Sequence, residues 1–331
     1  MVEIHSGSNI GKCRFLKCYD MEVYMKSKSI KKYLLHPSGI IPILSYKGFL
    51  RWIPDKVYLK FIFHVIMKKK LNLENPKTYS EKLQWIKLYD RNPLYVRLVD
   101  KFEVKKYIQE IIGQDYVIPT LGIWENVEDI PFAQLPSRFV LKCTHDSGGI
   151  VICKDKDNLD IVETKKILNK HLHKNFYWYG REWPYKQVKP RIICEEYMED
   201  ARTQELRDYK FFAFNGIVKA VFIATGRQDP NDETRFDFFD DEFNHLDIVN
   251  GHPQANSAPE KPVCFEEMKS LASKLSKGIP QVRVDFYEVN GKVFFGEMTF
   301  FHWSGLKPFE PEKWDEVFGS WIVLPNKVVS Q

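Results

Sequence analysis

The feature that most constrains the fold is the stretch QVRVDFYEVNGKVFFGEMTF, residues 281–300. Two strand-like runs meet there at Asn290-Gly291, a dipeptide that strongly favours a tight β-hairpin. Because successive side chains of a strand point to opposite faces, the register of this hairpin decides which of its charged residues share a face. The stretch therefore predicts antiparallel pairing and a site whose composition depends on the length of the turn.

Two turn lengths are compatible with these residues. A two-residue turn directs the carboxylates of Asp285 and Glu297 to opposite faces. A three-residue loop over 289–291 brings Arg283 opposite Glu297 and leaves both residues on one face with Asp285 and Thr299. Two carboxylates on one face can hold Mg²⁺ together with phosphate oxygens. The same residues also suit a surface ladder of salt bridges, which is the alternative interpretation.

A glycine-rich turn joins two shorter apolar runs in FVLKCTHDSGGIVIC, residues 139–153. Lys142 ends the first run, and Ser147, Gly148 and Gly149 follow in the turn. An ammonium group beside such a turn can contact phosphate oxygens while main-chain N–H groups cradle them. An ordinary hairpin loop is the alternative. The sequence contains neither the Walker A pattern nor the protein-kinase motifs, which excludes those two kinds of nucleotide site.

Helices precede these strands. Thr78 and Glu81 form a capping box, which starts a helix that ends near Asp90. Residues 94–112 predict one continuous second helix, closed by Gly113. The first part of the chain is therefore expected to be helical.

From residue 115 onward the pattern changes to short alternating runs and Asn-Gly turns, which predict antiparallel strands. Helical periodicity returns over 158–175 and 265–277. The acidic stretch 227–243 predicts a polar loop. Helices that are separate from antiparallel strands predict an α+β fold.

Residues 1–75 are strongly basic, with 14 Lys and Arg against 5 Asp and Glu. Basic and aromatic residues alternate over 46–70, so residues 1–70 suit an anionic membrane face. A solvated cationic helix packed on the next domain is the alternative. Nucleic acid is not expected as a partner, because the basic excess ends at residue 75 and no nucleic-acid-binding motif follows. The cysteine spacing suits a reducing cytoplasm, so we expect a cytoplasmic protein, with contact at the inner face of the plasma membrane as an addition.

Six stretches in order resemble the TupA-like ATP-grasp family of bacterial capsule, teichuronopeptide and O-antigen biosynthesis. They run from about residue 72 to 324 and read NPKTYSEKLQWIKLYD, DKFEVKKYI, FVLKCTHDSGG, GREWPYKQVKPRIICEEYM, DYKFFAFNG and FFGEMTFFHWSGLKPFEPEKWD. The resemblance implies an ATP-grasp fold, in which two α+β subdomains clasp ATP. The expected parts are a basic region 1–75, a helical linker 76–115, a subdomain with the glycine-rich hairpin 116–198, and a subdomain with the metal-binding hairpin 199–331.

The resemblance also implies roles for the nucleotide-binding residues. Lys101 and Lys142 match the two phosphate-binding lysines, with the glycine-rich turn closing over the triphosphate. Asp208 stands where the superfamily often has a ribose-binding acid, and Lys210 is a weaker candidate for phosphate. The hinge that reads adenine with main-chain groups corresponds to Glu195, Glu196, Tyr197 and Met198.

At the hairpin, the resemblance assigns Asp285 and Glu297 as magnesium ligands. Thr299 replaces the superfamily's usual asparagine and leaves a second metal ion in doubt. Arg283 matches the arginine that stabilises the reacting carboxyl group, and Lys142 is the second catalytic candidate. The turn that follows, with Trp303, Ser304 and Gly305, is expected to bind substrate, with the last two offering main-chain N–H groups to a carboxylate.

The implied function is an ATP-dependent carboxylate–amine ligase with ATP and Mg²⁺, in which an acyl phosphate precedes the amide. The expected substrates are a carboxylate-bearing sugar or glycan, such as a uronic acid, and an amine, such as an amino acid or amino sugar. A glycosyltransferase of a capsule or O-antigen cluster is the alternative, with a metal site at KDKD (154–157) or FFDD (238–241). An ATP-binding module without catalysis is a third reading.

Overall fold

The computed structural model describes residues 44–45, 48–201, 206–226 and 233–327. Most of the stretch predicted to contact a membrane, residues 1–43 and 46–47, lies outside the described residues, as do residues 227–232. No helix in the described part of the chain combines the length and the apolar composition needed to cross a lipid bilayer. The helices are α1 (Asp55–Met67), α2 (Tyr79–Tyr89), α3 (Leu94–Val99), α4 (Glu103–Ile111), α5 (Ile161–Leu172), α6 (Tyr177–Gly180), α7 (Phe265–Leu275) and α8 (Lys313–Trp321).

The strands of the described residues form two antiparallel sheets. The first sheet has the order β1-β4-β2-β3 and the second the order β10-β9-β5-β6-β7-β8. The α+β fold class is thereby confirmed, while the predicted domain boundaries stay a prediction. The strands are β1 (Thr120–Trp124), β2 (Phe139–Cys143), β3 (Ile150–Cys153), β4 (Ile192–Glu196), β5 (Asp208–Phe214), β6 (Ile217–Thr225), β7 (Arg235–Asp240), β8 (His245–Leu246), β9 (Val282–Val289) and β10 (Lys292–Thr299).

Of the two turn lengths that the sequence allowed, the β9–β10 hairpin has the two-residue turn, and the three-residue loop that would have placed the charged residues on one face does not form. Asn290 and Gly291 both have positive φ, at 53° and 74°, and the strands pair directly on either side of them. A bulge at Gly296 then skips one residue of β10, so that Glu297 pairs with Asp285. The predicted common face therefore exists, but a bulge within the strand produces it.

The predicted continuous helix over 94–112 is also wrong, because Asp100 interrupts it between α3 and α4. Asp100 is extended, and its carboxylate accepts hydrogen bonds from the N–H groups of Phe102 at 2.8 Å and Glu103 at 3.4 Å. These bonds satisfy N–H groups at the start of a new helix. The break brings Lys101 against the glycine-rich turn, where its main-chain N–H donates to Thr144 O at 3.1 Å.

The stretch 235–240, predicted as part of a polar loop, forms strand β7 beside β6. Phe236, Phe238 and Phe239 are buried there. In the sequence these phenylalanines lie among acidic residues, and the stretch was therefore predicted to be a polar loop. Burial against a neighbouring strand outweighs the local polarity, which is a tertiary effect.

Aromatic packing holds α2 and α8 against one face of the second sheet. The ring of Tyr79 meets Phe318 of α8 edge-on at 5.8 Å and Phe212 of β5 at 6.2 Å. The Tyr79 hydroxyl donates to Gln281 at 3.1 Å, just before β9. Gly319 lies in α8 at the point of closest approach, where an added Cβ would overlap Lys77 O and reach 2.6 Å from the Tyr79 nitrogen. This contact sets how closely α8 approaches the start of α2.

We expect Gly319→Ala to lower the free energy of unfolding by about 2 kcal/mol, because the added methyl group forces the two helices apart. Urea unfolding followed by circular dichroism measures this difference. Ser320→Ala in the same helix is the matched control, since Ser320 is exposed and bonds only its own helix. Equal stability of the Gly319→Ala variant and the wild-type protein would contradict the close approach.

Candidate active site

A ladder of charged side chains crosses one face of the second sheet. Glu297 of β10 pairs with Asp285 of β9, which pairs with Lys210 of β5, which pairs with Phe222 of β6. Paired residues share a face, so all these side chains lie on the same side of the sheet. Asp208 precedes Lys210 by two residues and lies on this face as well. The structure thus brings together the residues that the sequence predicted for metal and ribose.

Arg283 is buried at the centre of this face and donates to several oxygens at once. Its Nε and Nη2 atoms contact Asp285 Oδ1 at 2.7 Å and Oδ2 at 2.8 Å. Nη2 also reaches Glu297 Oε1 at 3.2 Å and Thr299 Oγ1 at 3.0 Å. Burial acts to lower the pKa of Arg283, but the carboxylates of Asp285 and Glu297 raise it overall. The guanidinium group is therefore held charged and oriented.

Lys210 is the second cation on Asp285. Its ammonium group contacts Asp285 Oδ2 and lies 3.4 Å from Asp208 Oδ1. Asp285 is fully buried, so its charge depends on these partners rather than on water. A single carboxylate is therefore shared by an arginine and a lysine.

His302 ties Arg283 to the turn after β10. Arg283 Nη1 lies 2.8 Å from His302 Nδ1, and His302 Nε2 lies 2.9 Å from Asn250 Oδ1. Burial, together with the charges of Arg283 and Lys210, holds the pKa of His302 well below its ordinary value. The ring is therefore neutral, accepting from Arg283 at Nδ1 and donating to Asn250 at Nε2.

The donor set of the ladder suits Mg²⁺. Asp285, Glu297 and Thr299 offer two carboxylates and a hydroxyl on one face, and Mg²⁺ is commonly held by one or two carboxylates together with phosphate oxygens. Within the described ranges, no three His, Cys, Asp or Glu side chains converge as a metal-binding group. The residues therefore fit a metal ion that takes its remaining ligands from the phosphates of a nucleotide.

A second shared carboxylate lies beneath the glycine-rich hairpin of the first sheet. Glu195 of β4 contacts the ammonium groups of Lys142 at 2.6 Å and Lys105 at 2.5 Å. Burial acts to raise the pKa of Glu195, but the two lysines lower it to about 2. Lys105 was not predicted from the sequence. The sequence signal that could have indicated it is its spacing, because Lys105 follows Lys101 by four residues and lies in helix α4.

The glycine-rich turn is anchored by Asp146, which the sequence did not single out. The Asp146 carboxylate contacts His171 Nδ1 on α5 and accepts the N–H of Ser147 at 2.8 Å, while Lys101 Nζ donates to Asp146 O. Burial acts to raise the pKa of Asp146, yet His171 and the neighbouring lysines lower it overall. A Cβ on Gly149 would lie 2.7 Å from His171 Cβ, so the turn needs glycine where it crosses the helix.

The predicted hinge, residues 195–198, covers the end of β4 and the two residues after it, and its residues have different contacts. The Glu196 N–H donates to Pro119 O at 3.1 Å, and the Tyr197 hydroxyl donates to Glu199 at 2.9 Å. Glu195 points its side chain at Lys105 and Lys142, as described above. Adenine recognition by residues 195–198 stays a prediction.

Charged groups of both hairpins affect the pKa of Tyr185. Burial raises its pKa well above the ordinary value, and the charges of Glu182, Glu297 and Asp146 raise it further, while Arg283 acts in the opposite direction. Glu297 and Arg283 belong to the β9–β10 hairpin, and Asp146 belongs to the glycine-rich turn. The two predicted halves of the site therefore face the same region of the protein.

The turn with Trp303, Ser304 and Gly305 is left-handed throughout. Their φ angles are 48°, 57° and 61°, and a left-handed residue other than glycine costs roughly 1 kcal/mol or more. The expectation that Ser304 offers its main-chain N–H to a substrate is wrong, because this N–H donates to Phe301 O at 2.7 Å. Substrate binding by the three residues stays a prediction.

A model of the TupA-like ATP-grasp family matches residues 81–323, which is most of the chain. Among curated protein sequences, no match is found. The matched range contains both hairpins, the charged ladder and the turn after it. It thus covers every residue that the sequence predicted for the site.

Several solved structures are similar at a low level. The D-alanine–D-alanine ligase from Helicobacter pylori is 13% identical, with a TM-score of 0.40, over 74% of this chain and 69% of that chain. The D-alanine–D-alanine ligase from Bacillus anthracis complexed with ATP is 18% identical, with a TM-score of 0.37, over 63% of each chain. The ATP-grasp ligase PsnB complexed with minimal precursor, Mg and ADP is 12% identical, with a TM-score of 0.37, over 67% of this chain and 57% of that chain. Because these TM-scores are low, the family assignment is based on the match to the family model alone.

We expect Glu195→Gln to lower the free energy of unfolding at pH 7 by about 3 kcal/mol, because two buried ammonium groups lose their shared carboxylate. A carboxyl group with a lowered folded pKa stabilises the fold above its unfolded pKa of 4.5 and loses this effect as pH falls towards 2. The difference between wild type and variant should therefore shrink over that range.

Urea unfolding at pH 7, 5, 4 and 3 measures this difference. Glu199→Gln is the matched control, because Glu199 pairs with Arg138 and Lys154 at the surface. Such exposed pairs contribute about 1 kcal/mol or less. A Glu195→Gln variant that is as stable as the control variant at pH 7 would count against the buried arrangement.

Proposed function

The chain belongs to the TupA-like ATP-grasp family, and from this membership we propose that it is an ATP-dependent carboxylate–amine ligase. ATP-grasp proteins are ADP-forming ligases that use ATP, so the enzyme class follows from the family. The carboxylate and amine substrates and the role of each residue are part of the proposal. The observation that carries it is the ladder of Glu297, Asp285 and Lys210 around Arg283.

In the first step, an oxygen of the substrate carboxylate attacks the γ-phosphorus of ATP. The bond between the γ-phosphorus and the bridging oxygen breaks, which releases ADP and forms an acyl phosphate. Lys101, Lys142 and Lys210 would contact phosphate oxygens and spread the charge that moves during transfer. When Lys142 contacts phosphate it leaves Glu195, and Lys105 remains to balance that carboxylate. When Lys210 contacts phosphate it leaves Asp285, and Arg283 remains to balance that carboxylate.

In the second step, the nitrogen of the amine attacks the acyl carbon. The carbon–nitrogen bond forms, inorganic phosphate leaves, and the nitrogen loses a proton. Arg283 is the catalytic candidate here, because its guanidinium group is fixed by Asp285 and His302 and can stabilise a developing oxyanion. The proposal assigns no general base, and His302 is not suited to the role because it is buried and already hydrogen-bonded at both nitrogens.

Magnesium would be held by Asp285 and Glu297, with Thr299 beside them. When bound, it neutralises phosphate charge and favours transfer of the phosphoryl group. The threonine hydroxyl replaces a usual amide ligand and accepts a hydrogen bond from Arg283, so a single metal ion is the simpler proposal.

The proposed substrates are a carboxylate-bearing sugar or glycan, with uronic acids as the first class to test, and an amino acid or amino sugar. Surface polysaccharide biosynthesis in the cytoplasm is the proposed context. The support is the family match together with a site whose cationic groups suit anionic substrates.

The alternative glycosyltransferase has less support in the structure. Asp155, in the KDKD segment, caps a short turn by accepting the N–H of Asp157 at 3.1 Å. Asp240, in the FFDD segment, similarly accepts the N–H groups of Glu242 and Asn244 at 2.9 and 2.8 Å. These carboxylates serve local turns, which is the usual role of Asp in such positions.

We expect the purified protein to release ADP in the presence of Mg²⁺, ATP and a suitable uronic acid, and to form a hydroxamate when hydroxylamine is the trapping amine. Asp285→Asn with Glu297→Gln should reduce both products by about 100-fold or more, because the metal ion that would neutralise phosphate charge loses its two proposed carboxylate ligands. Coupled ADP detection and hydroxamate colorimetry measure the two products.

Asp155→Asn with Asp157→Asn is the control for this experiment, since the ligase proposal gives these residues no role. Binding of a nucleotide sugar without any ATP binding would replace the ligase with the glycosyltransferase. ATP binding without turnover across the uronic acid panel would exclude that substrate class.

We also propose peripheral contact with anionic membranes, because the described part of the basic region exposes both apolar and cationic side chains. Trp52 is 79% exposed and Phe49 64%, and Val57 and Phe61 of α1 are 58% and 45% exposed. Lys56 and Lys60 flank the two α1 residues on the same exposed stripe. Apolar side chains among lysines are typical of surfaces that bind anionic lipid.

We expect the full chain to co-sediment with vesicles of phosphatidylcholine and phosphatidylglycerol but not with pure phosphatidylcholine. Lys56→Glu with Lys60→Glu should weaken binding about 10-fold or more, since each lysine near such a surface contributes roughly 1 kcal/mol. Lys166→Glu with Lys170→Glu, two exposed lysines of α5 at the same spacing, should leave binding unchanged. Equal loss in both variants would mean non-specific charge attraction.

A further inference from the structure

A cluster of buried polar side chains lies beneath the turn 302–305. Gln84 and Lys87 of α2 approach it from one side, and Glu182, just after α6, approaches from the other. All three side chains are almost completely buried. Neither the charged ladder nor the glycine-rich hairpin uses them, so the proposed chemistry leaves them without a role.

Each donor of the Lys87 ammonium group has an acceptor. The three contacts are Ser304 O at 2.7 Å, Ser304 Oγ at 2.8 Å and Gln84 Oε1 at 3.0 Å. The amide of Gln84 donates in turn to Ser304 O and Gly305 O, both at 3.0 Å. Glu182 forms a side-chain hydrogen bond with Ser304. The contacts therefore converge on two residues of the turn.

The turn needs this support because of its backbone. Trp303, Ser304 and Gly305 are left-handed in succession, and such conformations persist only where the surroundings enforce them. The packing leaves little freedom, since a Cβ on Gly180 would overlap the Ser304 hydroxyl. A Cβ on Gly305 would lie 2.6 Å from Gln84 Nε2. The same turn begins with His302, which accepts from Arg283. A shift of the turn would thus move the partner of the catalytic arginine.

A buried lysine and a buried glutamate that both face Ser304 are a costly way to stabilise a fold, because apolar residues of similar size often serve as well or better. Burial lowers the pKa of Lys87 to about 7 and raises that of Glu182 to about 7, with the opposite charge of each partner acting against the shift. Other groups that face the pair are Ser304, Tyr185 and the ring of Phe301, which lies 5.6 Å from Lys87 Nζ. The charge of the pair is therefore sensitive to small changes near neutral pH.

We infer that Lys87 and Glu182 are positioning residues for the carboxylate substrate, holding the turn 302–305 where Trp303 and Gly305 are proposed to meet that substrate and where His302 holds Arg283. The inference rests on the proposed function of this turn in a ligase. It adds to that function two residues outside the nucleotide site, Lys87 and Glu182, which affect binding of the carboxylate substrate and not binding of ATP.

The test uses the full chain with Glu182→Gln, which keeps the size and hydrogen-bonding capacity of the side chain and removes its charge. We expect the KM for the uronic acid, measured with hydroxylamine as the amine, to rise 10-fold or more while the KM for ATP changes less than 2-fold. The wild-type dependence of kcat/KM for the uronic acid on pH should show a step near pH 7 that the variant lacks.

Lys82→Met is the matched control, because Lys82 also lies on α2 and donates to main-chain carbonyls, of Gly319 and Ile322, both at 2.8 Å. It should lower stability and leave the KM for the uronic acid unchanged. Lys87→Met is the second pair variant, and combining it with Glu182→Gln should restore stability relative to Lys87→Met alone, since no unpaired charge remains.

A readout that does not depend on turnover separates this inference from the ligase proposal. In protein labelled with 5-fluorotryptophan, the ¹⁹F resonance of Trp303, assigned through Trp303→Phe, should shift near pH 7 in the wild type. It should be displaced in Glu182→Gln and unchanged in Lys82→Met. A Trp303 resonance that is the same in Glu182→Gln as in the wild type, with no step near pH 7, would overturn the inference even if the enzyme is an active ligase. Absence of ADP and hydroxamate with a displaced Trp303 resonance would reject only the substrate proposed for the turn.

Discussion

The buried carboxylate of Asp285 is the group on which the rest of the site depends. A charged carboxylate without water is stable only beside positive partners, and Asp285 has Arg283 on one side and Lys210 on the other. These pairings orient Arg283 towards Glu297, Thr299 and His302. Loss of the carboxylate would leave two cations to repel each other inside the sheet, so the whole face is organised around one charge.

The first sheet repeats this arrangement at Glu195, which is shared by Lys142 and Lys105. In both places one buried carboxylate is shared by two cations. The Glu195 cluster has more cations than carboxylates, whereas Asp208 and Glu297 add two further carboxylates to the ladder around Asp285. An incoming polyphosphate can draw one lysine away, and the carboxylate keeps its other partner. The glycine-rich hairpin is therefore suited to an anionic ligand, with little cost of leaving a buried charge unpaired. The β9–β10 hairpin, which has more carboxylates than cations, suits an anionic ligand that is accompanied by a metal ion.

The sequence predicted the strands and their turns well, because these depend on local alternation and on Asn-Gly dipeptides. Three local details nevertheless differ from the sequence pattern. Asp100 divides a helix that periodicity makes continuous, since its carboxylate caps the next helix and pairs with Arg191 at 2.7 Å. The hairpin turn is shorter than expected, and Gly296 restores the common face through a bulge. Strand β7 forms within an acidic stretch because β6 lies beside it.

The sequence by itself determined the fold class, the family resemblance and the identity of Lys101, Lys142, Arg283, Asp285 and Glu297 as candidates, because these follow from residue types at short spacings. The partners of those residues were decided only by the tertiary structure. Lys105 meets Glu195, Asp146 meets His171, and Lys87 and Glu182 both meet Ser304, although these residues are far apart in the sequence. No local pattern marks such meetings. Burial then turns those contacts into large shifts in pKa, since a charge without water depends on whichever groups the fold places next to it.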